Sequence, residues 1–128
     1  MKFKTLCGII AGLLASVSAS GCVEYKGHLG KEEVVRKSVN MYPGDCGPEF
    51  WREVLVTHED GSKTLYVDDT DKGSKNSLDY VLRKDAEGKT LYINGSWEHE
   101  CGVWGNGKEI TLEEQKQFEE YLAKTSLK

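Results

Sequence analysis

Apolar positions change their rhythm several times along the chain. From Leu6 to Ala19 they run together as LCGIIAGLLASVSA, without a charge, behind Lys2 and Lys4. In KEEVVRKSVNMY, residues 31–42, Val34, Val35, Ser38, Val39 and Tyr42 fall at helical spacing and form one stripe. Glu32 and Glu33 come early and Arg36 and Lys37 late, which suits the dipole of a helix. The pattern predicts an N-terminal helix over 31–42, ended by Pro43 and Gly44.

A period of two follows. Residues 54–67 read VLVTHEDGSKTLYV and residues 80–93 read YVLRKDAEGKTLYI, so that Lys63-Thr64-Leu65-Tyr66 recurs as Lys89-Thr90-Leu91-Tyr92. Each copy is a β-prone run, a polar turn with glycine and a second run, the signature of a β-hairpin. Two copies give four strands of an antiparallel meander, joined by the polar stretch DDTDKGSKNS. Alternation puts Leu65 and Val67 on one face and Thr64 and Tyr66 on the other, with Leu91 and Ile93 opposed to Thr90 and Tyr92. The aliphatic face is expected to meet the helices and the tyrosines to line an outer face. Asn94-Gly95 reads as a turn, and SWEHECGVW, residues 96–104, as a fifth strand.

Helical spacing returns in residues 111–124. Thr111 and Glu114 have the spacing of a capping box, and Leu112, Phe118, Tyr121 and Leu122 supply an apolar stripe. Before the first hairpin, PGDCGPEFW packs two prolines and two glycines around Cys46, which predicts a rigid loop. The fold class is therefore α+β: an antiparallel meander of about five strands packed with an N-terminal and a C-terminal helix, with one disulfide.

The first apolar run is too short to span a membrane, which takes roughly 20 residues. Its basic front and small-residue exit fit a secretory signal. A plain cut after Ala19 is one exit. The other is Ala19-Ser20-Gly21-Cys22, which resembles the lipobox of bacterial lipoproteins, with Ala19 where that family commonly has Leu. The resemblance implies a diacylglycerol on the Cys22 thiol, cleavage just before it and, with Val23 following, an outer-membrane lipoprotein. Cysteine parity supports it. Of Cys7, Cys22, Cys46 and Cys101, Cys7 leaves with the signal, and a lipid on Cys22 leaves Cys46 and Cys101 to pair. The expected organisation is a signal peptide over 1–21, a lipidated cysteine and tether over 22–30, and one globular domain over 31–128.

Loss of Lys2 and Lys4 with the signal takes the formal net charge from −4 to −6. An acidic body speaks against nucleic acid as a partner. His99 lies within four residues of Glu98, Glu100 and Cys101, but on a strand both glutamates face away from it, and a zinc site needs convergent ligands. His58-Glu59-Asp60 has the same weakness. Cys46 with either histidine could imitate a thiol–imidazole pair, but Cys101 is there to cap the thiol. No nucleophile elbow, phosphate loop or dinucleotide fingerprint is present. No catalytic residue, metal or cofactor is expected. Aromatic residues are the remaining chemistry, and Tyr66, Tyr92, Trp97 and Trp104 form the candidate partner surface.

The function expected is a lipid-anchored envelope binding module that recognises or inhibits another protein, non-enzymatic, held to the outer membrane and facing the periplasm. A secreted or periplasmic soluble protein is the alternative location. An accessory lipoprotein of an envelope assembly is the alternative role, and a small hydrolase or ligand-binding protein comes third.

Overall fold

The structure, a computed structural model, describes residues 6–9, 18–42, 49–68, 78–99, 102–105 and 108–126. Eight strands and one helix are present among them: β1 (Leu6–Ile9), β2 (Ser18–Leu29), β3 (Glu32–Tyr42), β4 (Glu49–Thr57), β5 (Lys63–Asp68), β6 (Tyr80–Lys84), β7 (Thr90–His99), β8 (Gly102–Gly105) and α1 (Leu112–Lys124). Each strand pairs antiparallel with the next, so the sheet is a meander in chain order. With the C-terminal helix packed on it, the architecture is α+β.

The expected N-terminal helix is absent. Residues 32–42 form β3, paired with β2 on one side and β4 on the other. Val34, Val35 and Val39 are β-branched and lose side-chain freedom in a helix. In the strand Val34 faces the helix α1 while Val35 and Val39 face away, so the valine doublet serves both faces of one sheet. The residues expected to be a tether, Val23 to Leu29, lie in β2. A two-residue loop, Gly30-Lys31, joins β2 to β3 with Leu29 opposite Glu32. Gly30 has φ 64°, a left-handed conformation that costs glycine nothing.

The Thr-Leu-Tyr of both copies does lie at the start of the second strands of two hairpins, β4–β5 and β6–β7. The fifth strand divides differently from expectation. β7 runs through Asn94-Gly95 to His99, and β8 folds back on it. Gly95 is not at a turn. Its φ is 75°, and a Cβ there would collide with the Asp79 carbonyl oxygen and the Ile110 side chain, so the glycine permits a close crossing of backbones.

Face assignment is reversed. The helix lies on the face of Val34, Val54, Val56, Tyr66 and Val81, which with Leu78 bury Phe118 and Leu122. Tyr66 stacks on Phe118 at 6.0 Å between ring centres. The opposite face carries Leu65, Leu82 and Ile93 around a second cluster of Trp51, Val67 and Tyr80. Full burial of a residue such as Phe118 contributes roughly 1.5–3 kcal/mol, and the helix supplies two such residues.

Local signals fix the helix ends. Glu114 N–H donates to Thr111 Oγ1 at 3.1 Å, and Thr111 N–H donates to Glu114 Oε1 at 2.9 Å, completing the capping box. At the other end Arg36 Nη1 reaches from β3 to the Leu122 carbonyl at 3.2 Å. Leu112, expected in the stripe, is 81% exposed. It stands about 120° around the helix from Phe118.

Candidate functional site

Between α1 and the first residues of β5 and β7 and the last of β6, a cleft of about 680 Å³ opens. Its floor is made by Thr64, Tyr66, Val81, Arg83 and Tyr92; one wall is the helix, through Gln117 and Tyr121, and the other is Glu32 and His58. Strand register assembles it. Thr64 lies opposite Arg83, and Arg83 opposite Tyr92. Glu33 lies opposite Thr57, which brings Glu32 beside His58 at the start of the β4–β5 turn.

A chain of hydrogen bonds runs along the cleft. Tyr121 donates its hydroxyl to Glu32 Oε1 at 2.7 Å. Glu32 Oε2 meets His58 Nδ1 at 2.6 Å, and His58 Nε2 meets Thr64 Oγ1 at 2.8 Å. Arg83 Nη1 lies 3.0 Å from both His58 Nε2 and Thr64 Oγ1, and Nη2 donates to Ser62 Oγ at 3.1 Å. Ser62 Oγ in turn donates to Asp60 Oδ1 at 2.6 Å. A guanidinium can only donate. His58 Nε2 therefore accepts, the ring proton sits on Nδ1, and that proton goes to Glu32. Thr64 Oγ1 and Arg83 Nη1 then share the single Nε2 lone pair as donors.

The result is an arginine locked in place by neutral acceptors. No carboxylate lies within the 4.0 Å ion-pair distance of Arg83 among the described residues. Its Nη1 and the near proton of Nη2 are used, and the edge formed by Nε–H and the second Nη2–H bonds nothing among those residues. The surrounding phenols are held neutral. Burial, followed by the negative charge of neighbours including Glu114 and Glu32, pushes the Tyr66 phenol well above its usual range. Burial and then the bond to Glu32 do the same to Tyr121. Asp60 is held below the usual carboxylate range by the Ser62 hydroxyl and then by the Ser62 backbone N–H.

The order carboxylate, imidazole, hydroxyl, here Glu32, His58 and Thr64, is that of an acyl-transfer relay. In this cleft the hydroxyl oxygen is also the acceptor for Arg83, and Thr64 is 3% exposed. The relay orients a guanidinium at the floor of the cleft.

Of the aromatic residues expected to form a partner surface, Tyr92 is 44% exposed and lines the cleft. Tyr66 is 3% exposed; it belongs to the core and the cleft floor because the helix covers the tyrosine face. Trp97 and Trp104 are backbone partners in the β7–β8 hairpin. Cys46 and Cys101 lie outside the described residues. Cys22 sits within β2, opposite Cys7 in β1, and is disulfide-bonded. Glu32, Thr64 and Arg83 were not among the expected site residues. Among the described residues no group of three metal-ligating side chains converges, and no helix is long and apolar enough to cross a membrane. No family model, curated protein or solved structure matches the chain.

Proposed function

We propose that the protein is a lipid-anchored module of a bacterial cell envelope that binds another protein through the cleft under α1, in the manner of an inhibitor or immunity protein. One observation carries the reading. The cleft is open, its polar wall is held rigid by the chain of bonds from Tyr121 to Asp60, and an exposed aromatic residue, Tyr92, stands in its lining. Preorganised polar groups next to an exposed aromatic anchor are what a recognition site needs. A photo-crosslinking residue at position 92 tests this in cells, with position 112 as the control. A discrete adduct from 92 and none from 112 is expected. Equal adducts from both positions, or none from either, overturn the reading.

The anchor rests on Cys22. A sulfur in a disulfide cannot also form a thioether, so the bond at Cys22 and a diacylglycerol are alternative fates of one atom. Maturation at the lipobox would remove residues 1–21 and with them β1 and Cys7, leaving Cys46 and Cys101 to pair. The outer-membrane address and the periplasmic face follow from the same resemblance. Intact mass of the native protein decides: a chain beginning at Cys22 with added acyl mass is expected, and an unmodified chain overturns the anchor. The Glu32–His58–Thr64 order favours one second reading, a small acyl hydrolase with Thr64 as nucleophile. Hydrolysis of activated esters that Thr64→Val and His58→Ala both abolish would establish it.

A further inference from the structure

We infer that the cleft recognises a single carboxylate, carried on an otherwise neutral or basic segment of its ligand, and that the open Nε–Nη2 edge of Arg83 is the group that reads it. The inference deepens the binding reading above and rests on the cleft being where the ligand sits.

Three observations carry it. The first is the way Arg83 is held. Ser62, Thr64 and His58 bond its Nη1 side and one proton of Nη2. Asp60 and Glu32 in turn fix Ser62 and His58. The guanidinium plane is set before any ligand arrives, so little ordering entropy is lost on binding. The second is the edge left over. Nε–H and Nη2–H are parallel donors at the spacing of the two oxygens of a carboxylate, and that fork-to-fork pair is among the strongest neutralising contacts available to arginine. The third is the charge balance. Arg83 is half-buried on the cleft floor and bonds directly only to neutral groups among the described residues, with Asp60 reached through Ser62, although other arginines of the same sheet face pair with acids: Arg52 with Asp68 and Arg36 with Glu24. A cation partly withdrawn from water without an acid in direct contact favours an anion on its open side.

The rest of the lining limits which anion. Besides Lys124, the cleft is also faced by Glu32, Glu114 and Glu120. They repel a ligand that is negative along its length, such as a polyphosphate or a nucleic acid. One carboxylate directed at Arg83, with neutral or positive groups beside the glutamates, meets both conditions. Tyr92, next to Arg83 in register, covers the stem of the inserted group.

Titration of ¹⁵N-labelled protein tests this, read at the Arg83 Nε–H signal, which Arg83→Lys identifies by its loss. The probes are acetyl-Gly-Gly-Glu-Gly-amide, its Gln counterpart, the Gln peptide with a free C-terminal carboxylate, and polyphosphate, all at constant ionic strength. A saturable shift of the Arg83 signal by one of the two carboxylate peptides is expected, and which of them binds tells a side chain from a chain end. The Gln amide peptide should bind at least about tenfold more weakly, roughly 1.4 kcal/mol. Arg83→Lys, with its titration followed at the backbone amides of the cleft residues and an otherwise unchanged backbone spectrum, should lose a similar factor, because an ammonium offers no fork. No shift with either carboxylate peptide, equal binding of the Gln amide peptide, or tighter binding of polyphosphate overturns the inference. An adduct at position 92 in cells that Arg83→Lys leaves intact would defeat the carboxylate alone. Peptide binding at Arg83 without any adduct in cells would defeat the protein-binding reading alone.

Discussion

Two arginines on one face of the sheet, at opposite ends of β5, are treated in opposite ways. Arg52 in β4 lies across from Asp68, and the two are joined at 2.6 Å with the carboxylate 1% exposed. Arg83 in β6 lies across from Thr64 and is met by two hydroxyls and an imidazole. At the first end the fold supplies the counter-charge and closes the site. At the second it supplies orientation only and leaves the charge facing a cleft. A buried cation that a protein needs for architecture is paired internally; one that it orients but does not pair is available to a ligand.

The comparison breaks most readily at Asp68. Asp68→Ala removes the buried carboxylate that Arg52 holds at 2.6 Å, a loss of about 3–5 kcal/mol, seen as a lower urea midpoint with an unchanged slope. Arg83→Met removes a charge that forms no direct ion pair among the described residues, and leaves acceptors that water in the cleft can satisfy. Its cost should be about 1 kcal/mol. If Arg83→Met proved as damaging as Asp68→Ala, both arginines would be structural and the distinction would fail.

Alkaline pH sharpens the same contrast, because the Arg83 end carries the buried phenols. The folded values of Tyr66 and Tyr121 lie above the ordinary 10.0. The stability that goes with them is fully present below pH 10 and is lost as pH rises through the folded values, since the unfolded chain ionises first. Absorbance at 295 nm should show these two tyrosines titrating together with the loss of secondary structure, and Tyr121→Phe should shift that loss to higher pH. Ionisation of every tyrosine near pH 10 with the fold intact would contradict the packing of α1 over the cleft. Next in size is the helix itself. Thr111→Ala removes the acceptor for the Glu114 N–H and should cost about 1 kcal/mol, lifting the cleft wall without touching the Arg52 pair.

What the sequence shows about this fold follows the range of its interactions. The C-terminal helix is legible because its capping box spans Thr111 to Glu114 and its period is local. The hairpins are legible because their turns are. β3 is not: Val34 and Val35 satisfy a helical stripe and a strand buried on both faces equally well, and only pairing with β2 and β4 decides between them. Alternation correctly separates Tyr66 from Val67 but carries no sign, so it cannot say which face the helix covers. The cleft is the least legible part. Glu32, His58, Thr64 and Arg83 come from four strands or turns and share no motif; register alone unites them. A faint signal was present, since Arg52, Asp68 and Arg83 stand at positions that alternate with the apolar rows, on the same face as Val54, Tyr66 and Val81. Charges at such positions call for partners or for a use.

The smallest expected effect on stability is at Tyr92, and it separates recognition from architecture most cleanly. Its ring is 44% exposed, and Leu112 is more exposed still. Replacement of either by serine should change the unfolding free energy by no more than about 0.5 kcal/mol. Their effects on binding should differ. Tyr92 lies opposite Arg83 in register and lines the same cleft, so Tyr92→Ser should weaken the carboxylate peptides at the Arg83 signal by severalfold. Leu112 stands on the outer side of the helix, away from the cleft, and Leu112→Ser should leave the titration unchanged. Equal weakening by both would mean that the peptides bind the apolar surface at large, and the oriented guanidinium would then have no special claim to the ligand.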